Sequence, residues 1–291
     1  QDLLFSIKGL PTCPMDAEKA AEMIVKSDLL KLLARSHEGN PPYYFRVELK
    51  CRMDHSKKSA FTRRLSSKIE KLSGRKLINT TSNYEFELRL IENKEGNCNV
   101  LLKLFTLKDE RFSYRKEVIP TSLKAVNAAL TVKLAERYMK EGAQVLDPFC
   151  GVGTMLIERH KAVKSNTMYG LDILEEAVEK ARKNTEAAGQ IIHYINRDFF
   201  DFKHEYLFDE IITNMPFKIG RKTEEEIGNL YAEFFSSVKR VLKDDGVMIL
   251  YSHNAGYVRQ MAPANGFVLA ETFEISLKEG TYVFVLKRKI N

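Results

Sequence analysis

Apolar positions along the chain recur in two rhythms, one of three to four residues and one of two. Ala17, Ala20, Ala21, Ile24, Leu29, Leu30 and Leu33 follow the first, which predicts one helix over Asp16–Arg35. The turn cluster His37–Pro42 ends it. Tyr43–Arg52 alternates, with Phe45, Val47 and Leu49 on one face and Arg46, Glu48 and Lys50 on the other, and predicts a strand. Ser59–Leu72 reads as a basic amphipathic helix closed by Gly74. Tyr84–Ile91 and Asn99–Phe105 read as two strands joined by the turn Asn93–Asn97. From Pro120 the order changes to strand and helix in alternation. An apolar helix within 120–137 precedes a short strand ending at Val145-Leu146, then a helix over Met155–Lys164. Strand Met168–Ile173, helix Glu175–Gly189, and strands Ile191–Ile195 and Phe208–Asn214 follow. A helix over Ile227–Leu242, with Leu230, Phe234, Val238 and Val241 inward, leads through the turn Asp244–Gly246 to strand Val247–Ser252. Phe267–Ile275 and Thr281–Lys287 read as an antiparallel pair. This alternation predicts an α/β sheet of mostly parallel strands behind an α+β front part.

At 291 residues and 44% hydrophobic, the chain is expected to hold two domains of a folded protein. No apolar run reaches the ~18 residues of a membrane span, and Leu3-Leu4-Phe5 is too short for a signal peptide. The chain begins at Gln1 rather than Met, which reads as a trimmed start. Cys13, Cys51, Cys98 and Cys150 are scattered, and the six His are isolated, so neither a metal site nor a disulfide framework is expected. A reducing cytoplasmic compartment follows. Charge is sided: residues 1–116 hold 23 Lys and Arg against 15 Asp and Glu, whereas residues 117–291 hold 23 against 24. A basic front module predicts a polyanionic partner presented to a near-neutral second domain.

The chemistry gathers at Val145-Leu-Asp-Pro-Phe-Cys-Gly-Val-Gly-Thr154, a strand, a glycine turn and a helix start. Such a junction forms a ligand crevice at the carboxyl end of an open sheet. Gly151 and Gly153 are expected to let the backbone pass close to a ligand. A dinucleotide fold needs G-x-G-x-x-G with a pyrophosphate on the helix start. Here Asp147 stands where it would repel that group, and it suits a ligand carrying an amino group or a sulfonium. The stretch resembles motif I of the class I methyltransferases that use S-adenosylmethionine (SAM). Asp172 ends the next strand, 25 positions after Asp147, where a carboxylate accepts both ribose hydroxyls of a nucleoside. Asp198 is placed to accept from the adenine amine, with Phe199 packing on the ring. The resemblance also implies cofactor contacts from Phe149, Thr154, Ile173 and Asn214. It adds Ser122 and Lys124 from the segment that precedes motif I in THUMP-bearing methyltransferases and closes over the methionine end of the cofactor.

Asn214-Met215-Pro216-Phe217 caps the Phe208–Asn214 strand, 16 residues after Asp198. It is similar to the (Asn/Asp)-Pro-Pro-(Tyr/Phe) motif of methyltransferases that act on planar exocyclic nitrogens. The lone pair of such a nitrogen is delocalised into its ring. Asn214 Oδ1 and the Met215 carbonyl are expected to accept its two N–H groups, while Pro216 stiffens the turn and Phe217 stacks on the base. Met215 replaces the usual first Pro, and Lys218 stands where Gly is common, with Gly220-Arg221 just beyond. Residues 43–116 resemble a THUMP domain through Phe45-Arg46-Val47, the helix Phe61–Leu72 and Glu110–Arg115. Residues 1–42 then read as a partial ferredoxin-like segment, and 117–291 as a Rossmann-like class I methyltransferase domain with a seven-stranded sheet. Arg46, Arg52, Lys57, Lys58, Arg63 and Arg64 are the expected RNA contacts. The combination looks like the RNA guanine-N2 methyltransferases, with SAM as cofactor and tRNA favoured over 23S rRNA as partner; membrane and metal are not expected. A DNA adenine-N6 or protein glutamine methyltransferase, or a non-catalytic RNA-binding relic of the fold, are the alternatives.

Overall fold

The structure, a computed structural model, describes residues 3–37, 39–218 and 223–289. The chain divides into two compact units, Gln1–Arg111 and Phe112–Asn291. The first holds β1 (Phe5–Ser6), β2 (Thr12–Cys13), α1 (Ala17–Lys26), α2 (Leu29–Ser36), β3 (Tyr43–Lys50), α3 (His55–Leu72), β4 (Leu77–Asn79), β5 (Phe86–Glu92) and β6 (Cys98–Leu104). Its sheet runs β1-β6-β5-β3-β4, with β2 also on β6. The expected single helix over Asp16–Arg35 is two. The Ser27 hydroxyl donates to the Ile24 carbonyl at 2.6 Å and accepts from the Leu29 N–H at 3.3 Å, so a side chain takes the place of the helical ladder.

Residues 1–42 do not form a separate segment. β1 and β2 pair with β6, and Ala20, Ala21 and Ile24 of α1 share one core with Phe45, Leu65, Ile69, Phe86 and Leu88. The second unit also starts five residues earlier than the expected residue 117. Phe112 and Tyr114 face Lys161 of its first sheet-covering helices, 5.5 and 5.2 Å from ring centroid to Nζ.

The second unit holds α4 (Ala125–Ala135), β7 (Ala143–Asp147), α5 (Thr154–Ala162), β8 (Ser165–Asp172), α6 (Glu175–Ala187), β9 (His193–Asn196) and β10 (Phe208–Asn214). α7 (Glu224–Ser237), β11 (Leu242–Ser252), α8 (Ala255–Ala264), β12 (Phe267–Ser276) and β13 (Thr281–Arg288) complete it. The sheet has seven strands in the order β12-β13-β11-β10-β7-β8-β9. β13 is antiparallel to both neighbours and the remaining pairings are parallel. Adjacent residues on one strand face opposite cores. Leu146 and Ile211 pack with α7 and α8, whereas Val145 and Ile212 pack with α4, α5 and α6. The sheet is therefore covered on both faces, which is why its central strands read as unbroken apolar runs.

Two boundaries differ from expectation. Helix α7 starts at Glu224 because Thr223 and Glu226 form a reciprocal capping box, and it ends at Ser237. Leu242 then pairs with Phe208, so the predicted turn at Asp244–Gly246 is an irregularity inside β11. Helix α8 was not foreseen from the pattern, because Pro263 lies within it. No helix among the described residues is long and apolar enough to cross a membrane.

Among the described residues of this unit, the ion pair between Arg159 and Glu210 is fully buried. Arg159 of α5 donates from Nε and Nη2 to the two carboxylate oxygens of Glu210 on β10, each at 2.8 Å, and both residues are at most 1% exposed. Its remaining donors reach the Val163 and Lys140 carbonyls. Burial pushes the Glu210 carboxyl up, and Arg159 opposes that. Removing one partner strands the other charge. Arg159→Met is expected to lower stability by about 3–5 kcal/mol, read as a lower urea midpoint at unchanged m-value.

Candidate active site

Parallel strands place their last residues at one level, and here those residues are polar. Asp147 ends β7, Asp172 ends β8 and Asn214 ends β10, while Asp198 lies two residues beyond β9. All four line one cavity of about 450 Å³, together with Gly151 and Phe217. The loop after β7 is tied to these tips. The Phe149 N–H donates to Asp147 Oδ1 at 3.0 Å, and the Gly151 N–H to Asp172 Oδ2 at 2.9 Å. The Leu174 N–H takes the other Asp172 oxygen at 2.9 Å, and the Phe200 N–H takes Asp198 Oδ1 at 2.9 Å. Each carboxylate is thus oriented by a backbone donor from the loop that follows it.

Asp147 is 1% exposed, and burial pushes its carboxyl up to about 7. The Thr213 side chain and the Phe149 N–H favour its charged form, whereas the Asp172 charge disfavours it. A cation entering the cavity would relieve both burdens. Among the described residues no three His, Cys, Asp or Glu side chains gather as a metal site. Cys150 lines the cavity, but burial pushes its thiol up and keeps it neutral.

Ser122, Phe149, Thr154, Ile173 and Phe199 also line the cavity. The Ser122 hydroxyl is occupied, accepting the Ile119 N–H at 2.8 Å. Phe199 packs edge-on to Phe149 with centroids 6.0 Å apart, so the two form one aromatic wall. Three expected residues are not on the lining. Lys124 is exposed at the start of α4, because the chain turns away after Leu123. The Met215 side chain is fully buried in the core, and its N–H donates to the Tyr251 carbonyl at 2.9 Å. Gly153 has φ +79° and faces inward, where a Cβ would lie 2.2 Å from the Tyr194 hydroxyl. A Cβ at Gly170 would lie 2.7 Å from the same ring, so these two glycines make room for Tyr194. Gly151, at φ +51° with nothing near its Cβ position, is the glycine that borders open space.

The unforeseen residues are mainly apolar: Ile119, Leu123, Phe200 and Leu230 complete the wall. Leu230 carried only the signal of an inward helix residue. His253, just past β11, stacks on Phe217 with centroids 4.3 Å apart and planes at 30°. Burial lowers its imidazole, so the ring supporting Phe217 is neutral at pH 7. Two lining atoms are buried with no partner among the described residues, Asn214 Oδ1 and Thr154 Oγ1. Unsatisfied buried polar atoms are rare, and here both belong to residues that line the cavity. Lys218 is exposed with Nζ 3.3 Å from Glu224, and Gly220-Arg221 lie outside the described residues.

Several of the basic residues expected at an RNA interface already have acidic partners. Arg46 is committed to Glu87, which is fully buried and also held by Arg89, and its guanidinium lies 4.6 Å from the Tyr84 ring. Arg52 pairs loosely with Glu92 at 3.7 Å, and Lys58 is half-buried. Lys57 is exposed beside Asp54 at 3.4 Å. Arg63 and Arg64 do come together, with Lys68 and Lys71, which were not foreseen, along a groove between α3 and α1, where Glu18 pairs with Arg64 at 3.4 Å and with Lys68.

Acidic tips on parallel strands, a glycine turn and helices on both faces define a class I methyltransferase, an enzyme class that uses SAM. The chain belongs to the UPF0020 RMKL-like methyltransferase domain family, which matches residues 113–278. It is similar to ribosomal protein L11 methyltransferase of Dictyoglomus turgidum, 28% identical over 163 residues covering 55% of this chain and 49% of that protein. The tRNA (guanine(6)-N2)-methyltransferase of Thermus thermophilus is 28% identical over 184 residues, covering 60% and 52%. The chain spans about half the length of these curated relatives. Among solved structures, SMU.472 complexed with SAH shares the fold at a TM-score of 0.69 and 14% identity, over 99% of this chain and 83% of that one. The residues fit SAM: the cavity offers carboxylates for its cationic and ribose groups and an aromatic wall for adenine. SAM is the cofactor of this methyltransferase.

Gly153→Ala is expected to destabilise the second unit by about 2–4 kcal/mol, from overpacking against Tyr194 and the left-handed backbone together. Gly151→Ala pays the backbone cost alone, about 1–2 kcal/mol. Differential scanning calorimetry of the two variants checks the ranking.

Proposed function

We propose that the chain is a SAM-dependent RNA methyltransferase that forms N2-methylguanosine, with tRNA its preferred substrate in the cytoplasm. The observation that carries this reading is Asn214 Oδ1, a buried acceptor without a partner among the described residues, on a residue that lines the cavity with Phe217. A guanine N2 needs such an acceptor, because drawing on one N–H favours the pyramidal nitrogen that attacks. SAM supplies the electrophilic methyl. Phe217, backed by the His253 ring, offers the base a platform worth ~1–3 kcal/mol. Asp172 and Asp198 hold ribose and adenine, and Asp147 receives the cationic end of the cofactor. In-line positioning is then the main contribution of the protein. The target guanine is flipped out or single-stranded, since N2 within a stacked pair is closed to in-line attack.

Residues 1–111 are read as the THUMP-like RNA-binding part, supported by the cluster Arg63, Arg64, Lys68 and Lys71 on α3, whose four positive charges are offset by Glu18 alone among the described residues lining that groove. Such contacts position a phosphate backbone and carry no sequence information. The named activity of the Thermus relative supports guanine N2 in tRNA, and the name of the Dictyoglomus relative favours a ribosomal protein as the second reading.

Incubation with unmodified tRNA and labelled SAM, followed by nucleoside mass spectrometry, separates these readings: N2-methylguanosine is expected, and label confined to protein overturns the proposal. Asn214→Ala is expected to lower methyl transfer at least about a hundredfold, while cofactor affinity by calorimetry changes less than about threefold.

A pH dependence follows from Asp147. Its carboxyl titrates near 7 in the free chain, and a bound cation favours the charged form. SAM affinity is expected to rise with pH up to about 7, by as much as tenfold per unit, and to level off above about 8. The free chain behaves oppositely: a carboxyl raised above its unfolded value makes the fold less stable as pH climbs from about 4 to 7. Calorimetric SAM titrations from pH 6 to 8.5 measure this, and Asp147→Asn is expected to remove the slope.

A further inference from the structure

Residues 117–123 form one wall of the cavity through Ile119, Thr121, Ser122 and Leu123. Inside this segment the ties are local. The Ile119 N–H donates to Ser122 Oγ, and the Arg115 guanidinium donates to the Leu123 carbonyl at 2.9 Å. A side chain from outside the motifs ties the start of this segment to the rest of the unit. Asn184, on α6, is fully buried. Its Oδ1 accepts the Glu117 N–H at 2.9 Å, and its Nδ2 donates to the Glu117 carbonyl at 3.0 Å. The same Nδ2 donates to the Val152 carbonyl at 3.1 Å, between the two glycines of the turn after β7. One amide therefore holds three pieces together: helix α6, the cavity wall and the glycine turn. Two weaker outer ties come from the same helix: Lys180, one turn earlier, reaches the Val118 carbonyl at 3.1 Å, and Lys183 pairs with the Glu117 carboxylate at 3.7 Å.

We propose that Asn184 is a positioning residue for SAM: it clamps the 117–123 wall against the glycine turn so that the cavity stands formed before the cofactor arrives. The task demands an amide. One acceptor and two donors are used at once, and a carboxylate of the same shape would turn both donor contacts into repulsion between oxygens. Asn184 does not line the cavity, so its effect passes through Glu117 and Val152. Without it the wall must be ordered during binding, and that ordering cost appears as lost affinity. The attacking site is untouched, because Asn214 and Phe217 rest on β10 and on His253.

The inference rests on this cavity being the SAM site, and wild-type binding of S-adenosylhomocysteine is the control for that premise. The clamp is read from the ratio of variant to wild type. By calorimetry on the full chain, Asn184→Ala is expected to weaken S-adenosylhomocysteine about tenfold or more, Asn184→Asp at least as much, and Lys180→Met about threefold. Amide hydrogen exchange over 117–123 is expected to quicken in all three while β7 and β10 keep their protection. With tRNA as acceptor, KM for SAM should rise and kcat stay within about twofold. Unchanged affinity in a folded Asn184→Ala chain overturns the proposal, as does a fall in kcat at constant affinity. Should the buried variants fail to fold, Lys180→Met decides: unchanged affinity and unchanged exchange over 117–123 refute the clamp.

Discussion

The constraint on which the second unit depends is the cost of keeping a carboxyl group dry. Asp147 sits at the end of a strand covered on both faces, where a charge has little solvent to support it. Everything around it moderates that cost without removing it. The turn after β7 offers one backbone donor, and the neighbouring strand contributes a second carboxylate that makes matters worse. A site built this way is poor for an empty protein and good for a cationic ligand. The binding surface is assembled from groups that the fold alone does not satisfy, as functional sites commonly are.

Much of this was legible from residue order. Asp147, Asp172, Asp198 and Asn214 come at the ends of successive strands, and parallel strands bring such ends to one edge. Their convergence on one cavity follows from topology, which the alternation of strand and helix already revealed. Less visible was the direction in which each side chain points. Gly153 and Met215 lie inside motifs whose other members face the cavity, yet both face the core. Spacing cannot separate a glycine that admits a ligand from one that admits a tyrosine ring. His253 and Asn184 were invisible for another reason: their partners are 36 and 67 positions away in the chain, and neither belongs to a recurring motif.

The first unit shows the same limit for charges. Its excess of Lys and Arg was evident, but not which of them are already engaged. Arg46 looked exposed on an alternating strand and is instead bound to a buried glutamate, whose own placement needs both Arg46 and Arg89. A tighter group of cations lies on α3, where Lys68 and Lys71 extend the pair Arg63 and Arg64, and even there Glu18 engages Arg64 and Lys68. Periodicity describes a helix face well, whereas ion pairing across strands depends on register, and register is set by the whole sheet.

The ring of Tyr194 fills the space left by two glycines, and its hydroxyl meets Thr185 at 2.8 Å. Positions 153, 170 and 194 therefore share a fixed volume, and none of them is free to change by itself. A lineage that acquires a side chain at either glycine must first shrink the aromatic ring, which also forfeits the hydroxyl contact. The glycine pattern that marks this turn is thus maintained partly by packing on the side of the loop away from the ligand. It would persist in a descendant that had lost its cofactor altogether.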